Sequence, residues 1–176
     1  MATAPDADVV LVPAGDPIEV AAAWVGRACW AELAVHELLG AWLAQPADDD
    51  GHALAWWSIR AARAEQAEAW HRRLPELREL PRPSFVAARS SAADQLLVEL
   101  AGVGSGDRPG ALVAVLVAMR AGYLARAEAA RGPADGPVAA TLVRAVEAID
   151  RDLARCAPLT AAADWTARLA EVGGMP

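Results

Sequence analysis

Four long segments of this chain place apolar residues three and four positions apart, the spacing that gathers them on one face of an α-helix. Clusters of proline and glycine separate these segments. Alanine, the strongest helix former, is the most abundant residue, and aromatic residues make up only 5% of the chain. The pattern therefore predicts an all-α fold.

We predict long helices over about 17–44, 50–74, 110–131 and 137–156. A shorter helix is expected between residues 84 and 100, and a tail helix over about 160–171. Residues 1–15 are expected to form a loose N-terminal arm, and no repeat or second domain is visible in the 176 residues. The prediction is one domain, a four-helix bundle with one long crossover and a short C-terminal helix.

The first helix carries the most informative position of the sequence. Its apolar arc contains Val20, Trp24, Ala28, Ala31, Val35, Leu38, Leu39 and Trp42. Glu32 falls inside this arc, and His36 lies beside it one turn on. A buried carboxylate is unfavourable unless it is paired or bound to a metal. Arg63 lies inside the arc of the second helix at about the height of Glu32, which predicts a buried network of Glu32, Arg63 and His36, with His36 bonding Glu32 or Asp150.

The alternative for this centre is a dinuclear metal site. Glu68-Ala69-Trp70-His71 on the second helix has the Glu-x-x-His spacing, and Glu147-Ala148-Ile149-Asp150 on the fourth has an aspartate where that motif has histidine. Two runs, Ala31 to Glu37 and Ala67 to His71, carry a resemblance to a known family. Through them the chain resembles small ferritin-like proteins of actinobacteria, some of which are similar to tRNA-hydroxylase-like di-iron enzymes. The resemblance implies a ferritin-like fold and a di-iron cofactor held by Glu32, Glu68, His71 and Asp150.

Two tryptophans fall outside the predicted core. The chain has seven tryptophans, and Trp24, Trp42, Trp56 and Trp70 lie on apolar arcs. Trp30 lies on the polar side of the first helix and Trp57 lies off the arc of the second. Large aromatic side chains on a surface are typical of protein interfaces. We therefore predict a homodimer that uses Trp30 and Trp57.

Charge and composition exclude several classes of protein. The net charge of −7 argues against binding to nucleic acid through a basic surface. The first twelve residues lack a basic signal-peptide region, and no apolar run reaches about 18 residues, so a cytoplasmic protein without a membrane span is expected. Cys29 and Cys156 are expected to be buried free thiols, and neither is near a histidine that would suggest a nucleophile.

Three functional hypotheses remain open. The first is a ferritin-like bundle that lacks a complete di-iron site, has no cofactor and acts by association with itself or a partner. The second is a di-iron oxidase or hydroxylase. The third is a small-molecule-binding bundle whose tryptophans line an apolar pocket.

Overall fold

The computed structural model describes residues 18–45, 52–76, 78, 80–130 and 135–176. These residues form six α-helices and one short 3-10 turn, Arg82–Phe85, and contain no strand. The helices are α1 Ile18–Leu43, α2 Ala53–His71, α3 Ser91–Ala101, α4 Arg108–Ala129, α5 Gly136–Cys156 and α6 Ala163–Glu171. The all-α prediction is confirmed, and all six predicted helices are present.

Some expectations concern residues outside those described. They are the loose arm over 1–15, the start of the first helix at residue 17, the start of the second at residue 50 and the end of the third long helix at residue 131. One core assignment on α1 is wrong, because Val20 is 52% exposed. Val20 lies in the first turn of α1, which begins at Ile18, so its place on the apolar arc does not bury it.

The first two helices form an antiparallel pair. Trp24 contacts Trp70, with ring centroids 5.5 Å apart, and Trp42 contacts Trp56 at the same distance. The start of α1 therefore lies beside the end of α2, and the end of α1 lies beside the start of α2. Such helical pairs bury one apolar stripe of each helix against the other.

The remaining helices close the core around that pair. Helix α4 packs against α5 and α6, α5 packs against α2, and α3 packs against α1 and α6. The side chain of Ser90 accepts a hydrogen bond from the Ala93 backbone and so caps α3. Trp42 donates its indole N–H to the Leu100 carbonyl, 3.1 Å away, which ties the crossover to α1.

Helix α4 has a long apolar face in the core. Its buried stripe includes Leu112, Leu116, Met119 and Tyr123, all with no exposed surface. By length and composition alone it could cross a membrane, and no other helix in the described ranges passes that test. Core helices of soluble proteins pass the same test, and α4 packs against both α5 and α6.

Candidate functional site

A polar centre lies in the core, with one side chain from each of the four long helices. These side chains are Glu32 of α1, Arg63 of α2, Tyr123 of α4 and Asp152 of α5, and none has exposed surface. Each lies on the buried face of its helix because it is three or four residues from apolar neighbours on that face. The fold therefore brings two acids, one base and one phenol together.

Arg63 bridges the two carboxylates. Its Nη1 donates to Glu32 Oε2 at 2.9 Å, and its Nη2 donates to Asp152 Oδ2 at 2.7 Å. The Tyr123 hydroxyl donates to Glu32 Oε1 at 2.6 Å. Arg155, one turn along α5, donates to Asp152 Oδ1 at 2.6 Å. All four carboxylate oxygens have a donor, which buried acids require.

Burial is the main influence on the pKa values of the two acids in this centre. It raises the pKa of Glu32, against the opposing effects of Arg63 and Tyr123, and it raises the pKa of Asp152, against Arg63 and Arg155. Burial alone would lower the pKa of Arg63, but Glu32 and Asp152 outweigh it, so the pKa of Arg63 is raised. Arg63 is therefore charged at every accessible pH.

Tyr123 joins the centre to an aromatic cluster. Its ring centroid is 5.6 Å from that of Trp70 and 6.2 Å from that of Trp24. Burial raises the pKa of the Tyr123 hydroxyl well above its ordinary value, and Glu32 adds to the effect. The phenol therefore stays protonated and serves as a hydrogen-bond donor to Glu32.

The structure does not bring the four predicted metal ligands together. Glu68 lies on the outer face of α2 and pairs with Arg72 at 3.3 Å. Asp150 lies on the outside of α5 and pairs with Arg120 of α4 at 2.6 Å. Glu32 alone of the set is in the centre, and in the described ranges no three histidine, cysteine, aspartate or glutamate side chains are arranged to hold a metal. Helical geometry explains the separation, because two residues along a helix, as from Asp150 to Asp152, turn a side chain to the opposite face.

His36 also differs from its predicted role. Its Nδ1 donates to the Arg60 carbonyl at 3.0 Å, and Arg60 Nε donates to the His36 carbonyl at 3.3 Å. His36 therefore bonds neither Glu32 nor Asp150. Although it lies one turn beyond Glu32 on α1, His36 is only half-buried, and the Arg60 carbonyl holds its ring at the contact between α1 and α2.

The sequence does not single out Asp152. Apolar spacing along the fourth helix predicts an arc through Leu142, Val146, Ile149 and Leu153, with Asp150 at its edge. The observed buried face passes instead through Leu142, Ala145, Ile149, Asp152 and Cys156. The two arcs share Leu142 and Ile149, but the observed face has Ala145 and Asp152 where the predicted arc has Val146 and Leu153. This arc places Asp152 as a second acid beside Arg63.

A groove lies beside the α1–α2 pair and has several of the predicted residues on its wall. It has a volume of about 430 Å³ and is lined by Cys29, Leu33, His36, Ala64, Ala67, Glu68, His71, Pro83 and Val86. Cys29 donates its thiol to the Ala67 carbonyl at 3.4 Å. Burial, with Glu32 adding to it, raises the pKa of Cys29 to about 11, so this thiol is protonated at neutral pH and is a poor nucleophile.

The two surface tryptophans lie in different environments. Trp30 is half-buried, packs against the core and lines a shallow groove beside α3. Trp57 is 55% exposed, and the Arg60 guanidinium lies 5.3 Å from its ring centroid. Of the two, Trp57 on α2 is therefore the tryptophan with the large exposed surface.

Comparison with known proteins gives no relative for this chain: no protein-family model, curated protein or solved structure is significantly similar to it. The fold and the centre define its class as an all-α protein with a buried, charge-paired core.

Proposed function

We propose that this chain is a ferritin-like four-helix bundle that holds an arginine in place of metal ions and acts through binding rather than catalysis. The observation that carries the proposal is the Arg63 guanidinium between Glu32 and Asp152. A di-iron site in such a bundle needs carboxylates from four helices and two histidines at its centre. In this chain the central groups are two acids, a guanidinium and a phenol.

Charge supports this proposal. A guanidinium does not lose its proton in proteins and offers only donors, so it cannot ligate a metal. It places a positive charge between two carboxylates, which is the electrostatic role that a metal has in the di-iron bundles. The Glu68 and His71 pair lies on the groove wall instead, where it adds nothing to the centre. A di-iron oxidase is therefore the weaker hypothesis.

Metal analysis tests the proposal. After incubation with ferrous iron without oxygen and then dialysis, we expect less than about 0.2 iron per chain, against two in a complete site. The variant Glu68→Gln/His71→Gln separates iron adsorbed at the groove from iron at the centre. Near-stoichiometric iron that survives in this variant and is lost in Glu32→Gln would show that the centre is a metal site.

A second observation favours self-association as the way this bundle acts. Leu54 is 81% exposed and Trp57 is 55% exposed, and they lie three residues apart on one face of α2. Exposed apolar residues grouped in this way are typical of interfaces, and tryptophan is the residue most enriched at their energetic centre. We propose that this face of α2 meets the same face of a second copy about a two-fold axis.

Sedimentation velocity tests the dimer. Wild-type protein should sediment as a dimer, and Trp57→Ala should weaken association by at least about tenfold, since central tryptophans commonly contribute 2 kcal/mol or more. Val143→Ala is the matched control, because Val143 is an exposed apolar residue on α5. A monomeric wild type, or equal effects of the two substitutions, would reject the interface.

A further inference from the structure

We propose that the groove between α1 and α3 binds a small arylalkylammonium ion, with its cationic end at Glu37 and Asp94 and its aromatic ring against the apolar walls. The groove is separate from the buried centre and from the Leu54–Trp57 face of α2, so the proposal depends on neither part of the proposed function. The groove has a volume of about 370 Å³, within the range of small-molecule sites.

Two stripes of side chains, one from each helix, form the groove. The stripe on α1 follows the three- and four-residue spacing of one helical face and includes Trp30, Leu33, Ala34, Glu37 and Ala41. The stripe on α3 has the same spacing and includes Asp94, Leu97, Val98 and Ala101. Leu33 is 38% exposed and Val98 is 63% exposed, so apolar surface is open to solvent on both walls. A flat apolar ring in the groove would remove part of that surface from water.

The two charged residues that line the groove are both acids. In the ranges that the structure describes, neither Glu37 nor Asp94 makes an ion pair or a side-chain hydrogen bond. The positions one helical turn from Glu37 are Leu33, Ala34, Gly40 and Ala41. The corresponding positions around Asp94 are Ser90, Ser91, Leu97 and Val98. Neither acid therefore has a basic residue within reach on its own helix.

The neighbouring elements do not supply the missing counter-charge either. Arg60 of α2 contacts α1 at His36, the neighbour of Glu37, but its Nε donates to the His36 carbonyl and its guanidinium lies over Trp57. Asp94 lies in the first turn of α3, where the helix dipole favours a carboxylate. The dipole accounts for Asp94 alone, since Glu37 lies in the middle of α1. A cation in the groove would give both acids a counter-charge.

The combination selects the ligand class. An apolar groove without charge would take a neutral ring, and two acids without an apolar wall would take any small cation. Here both features share one groove that has no basic residue in its lining, which favours a ligand with one positive end and an apolar body. Trp30 adds to this selection, because a tryptophan ring attracts a cation to its face.

The same charges argue against a second copy of this chain as the occupant. A contact about a two-fold axis places the same residues of both copies at one interface. It would bring two copies of Glu37 and two of Asp94 together, and like charges at an interface repel.

Isothermal titration calorimetry with tryptamine tests the site. Tryptophol has the same indole ring with a hydroxyl group in place of the amine, and ethylamine has the charge without the ring. Tryptamine should bind saturably and at least about tenfold more tightly than either, because the charge-assisted contacts and the apolar burial each contribute. Equal affinity for tryptamine and tryptophol, or for tryptamine and ethylamine, would overturn the proposal, as would the absence of tryptamine binding.

Charge variants locate the cationic end of the ligand. Glu37→Gln should weaken tryptamine binding by about threefold to tenfold, the size of one charge-assisted contact near a surface, and should leave tryptophol binding unchanged. Asp94→Asn should act in the same way. Glu147→Gln makes the same charge change on an exposed surface of α5 and should leave tryptamine binding unchanged.

Wall variants locate the ring. Val98→Ser removes part of the apolar wall and should weaken tryptamine and tryptophol binding alike, whereas Val143→Ser, at a position 58% exposed on α5, should affect neither. Circular dichroism checks that each variant is folded. Wild-type affinity in both Glu37→Gln and Asp94→Asn, or equal weakening in Glu147→Gln, would place tryptamine outside this groove and overturn the proposal.

Discussion

Replacing Arg63 with methionine is expected to lower the free energy of unfolding by about 3–5 kcal/mol near neutral pH, because it leaves two buried carboxylates without their shared counter-charge. Methionine keeps most of the side-chain volume, so the loss reports the charge rather than a cavity. Urea denaturation followed by circular dichroism measures it. A loss below about 1 kcal/mol, the scale of an exposed pair, would contradict the structural role of Arg63.

The loss of stability in Arg63→Met should grow as the pH rises. Burial already raises the pKa of Glu32 and of Asp152 in the folded protein, and removing Arg63 raises both further. The folded variant then keeps protons that the unfolded chain releases above its ordinary carboxyl pKa values of 4.5 and 3.8. Stability is therefore fully present in acid and falls with increasing pH, by up to about 1.4 kcal/mol per pH unit for each carboxylate.

Two comparisons isolate this effect. Glu32→Gln/Arg63→Met/Asp152→Asn removes all three charges and should show no such pH dependence. Arg120→Met breaks the Arg120–Asp150 pair on the surface and should change stability little at any pH. If Arg63→Met is unfolded at neutral pH, it should refold at about pH 5, where its carboxyl groups are protonated. A variant whose stability is independent of pH would show that the two acids are not buried together.

The second large effect is expected from Gly26→Ala on α1. A Cβ atom at residue 26 would lie 1.9 Å from the Phe85 carbonyl oxygen and 2.5 Å from its carbonyl carbon. Backbone atoms cannot rotate away, so the 3-10 turn must move off α1. Alanine inside a helix is normally more favourable than glycine by about 1 kcal/mol. We expect the clash to reverse that gain and to destabilise the protein by about 1–3 kcal/mol.

Gly40→Ala, on the same helix, is the matched control. Its Cβ would lie 3.2 Å from Nε of Arg60, the far end of a flexible side chain that can shift by a few tenths of an ångström. This variant should be neutral or stabilised by up to about 1 kcal/mol. In a Cys156→Ala background, Cys29 should react faster with a thiol reagent in Gly26→Ala than in Gly40→Ala, because the turn covers its groove. Equal reactivity and equal stability would show that the turn does not pack on Gly26.

The sequence predicted the helices and part of the centre. Apolar spacing identified all six helices and placed Glu32 and Arg63 inside the arcs of α1 and α2, where the structure has them. It did not identify Asp152, because two apolar arcs are possible on the fourth helix. Both contain Leu142 and Ile149, and only one of them contains Asp152. Nor does the sequence indicate the role of Tyr123, since nothing along α4 shows that its hydroxyl meets an acid of α1.

The sequence by itself determined that this chain is all-α and that its core contains an acid and a base. Periodicity is a local property, and it follows from the 3.6-residue turn of each helix. Only the tertiary structure decided which residues from different helices meet: Arg63 lies between Glu32 and Asp152, and Glu68 lies outside. These contacts depend on how each helix is rotated and shifted along its axis relative to its neighbours. Packing between helices sets that geometry, and the sequence of one helix alone does not.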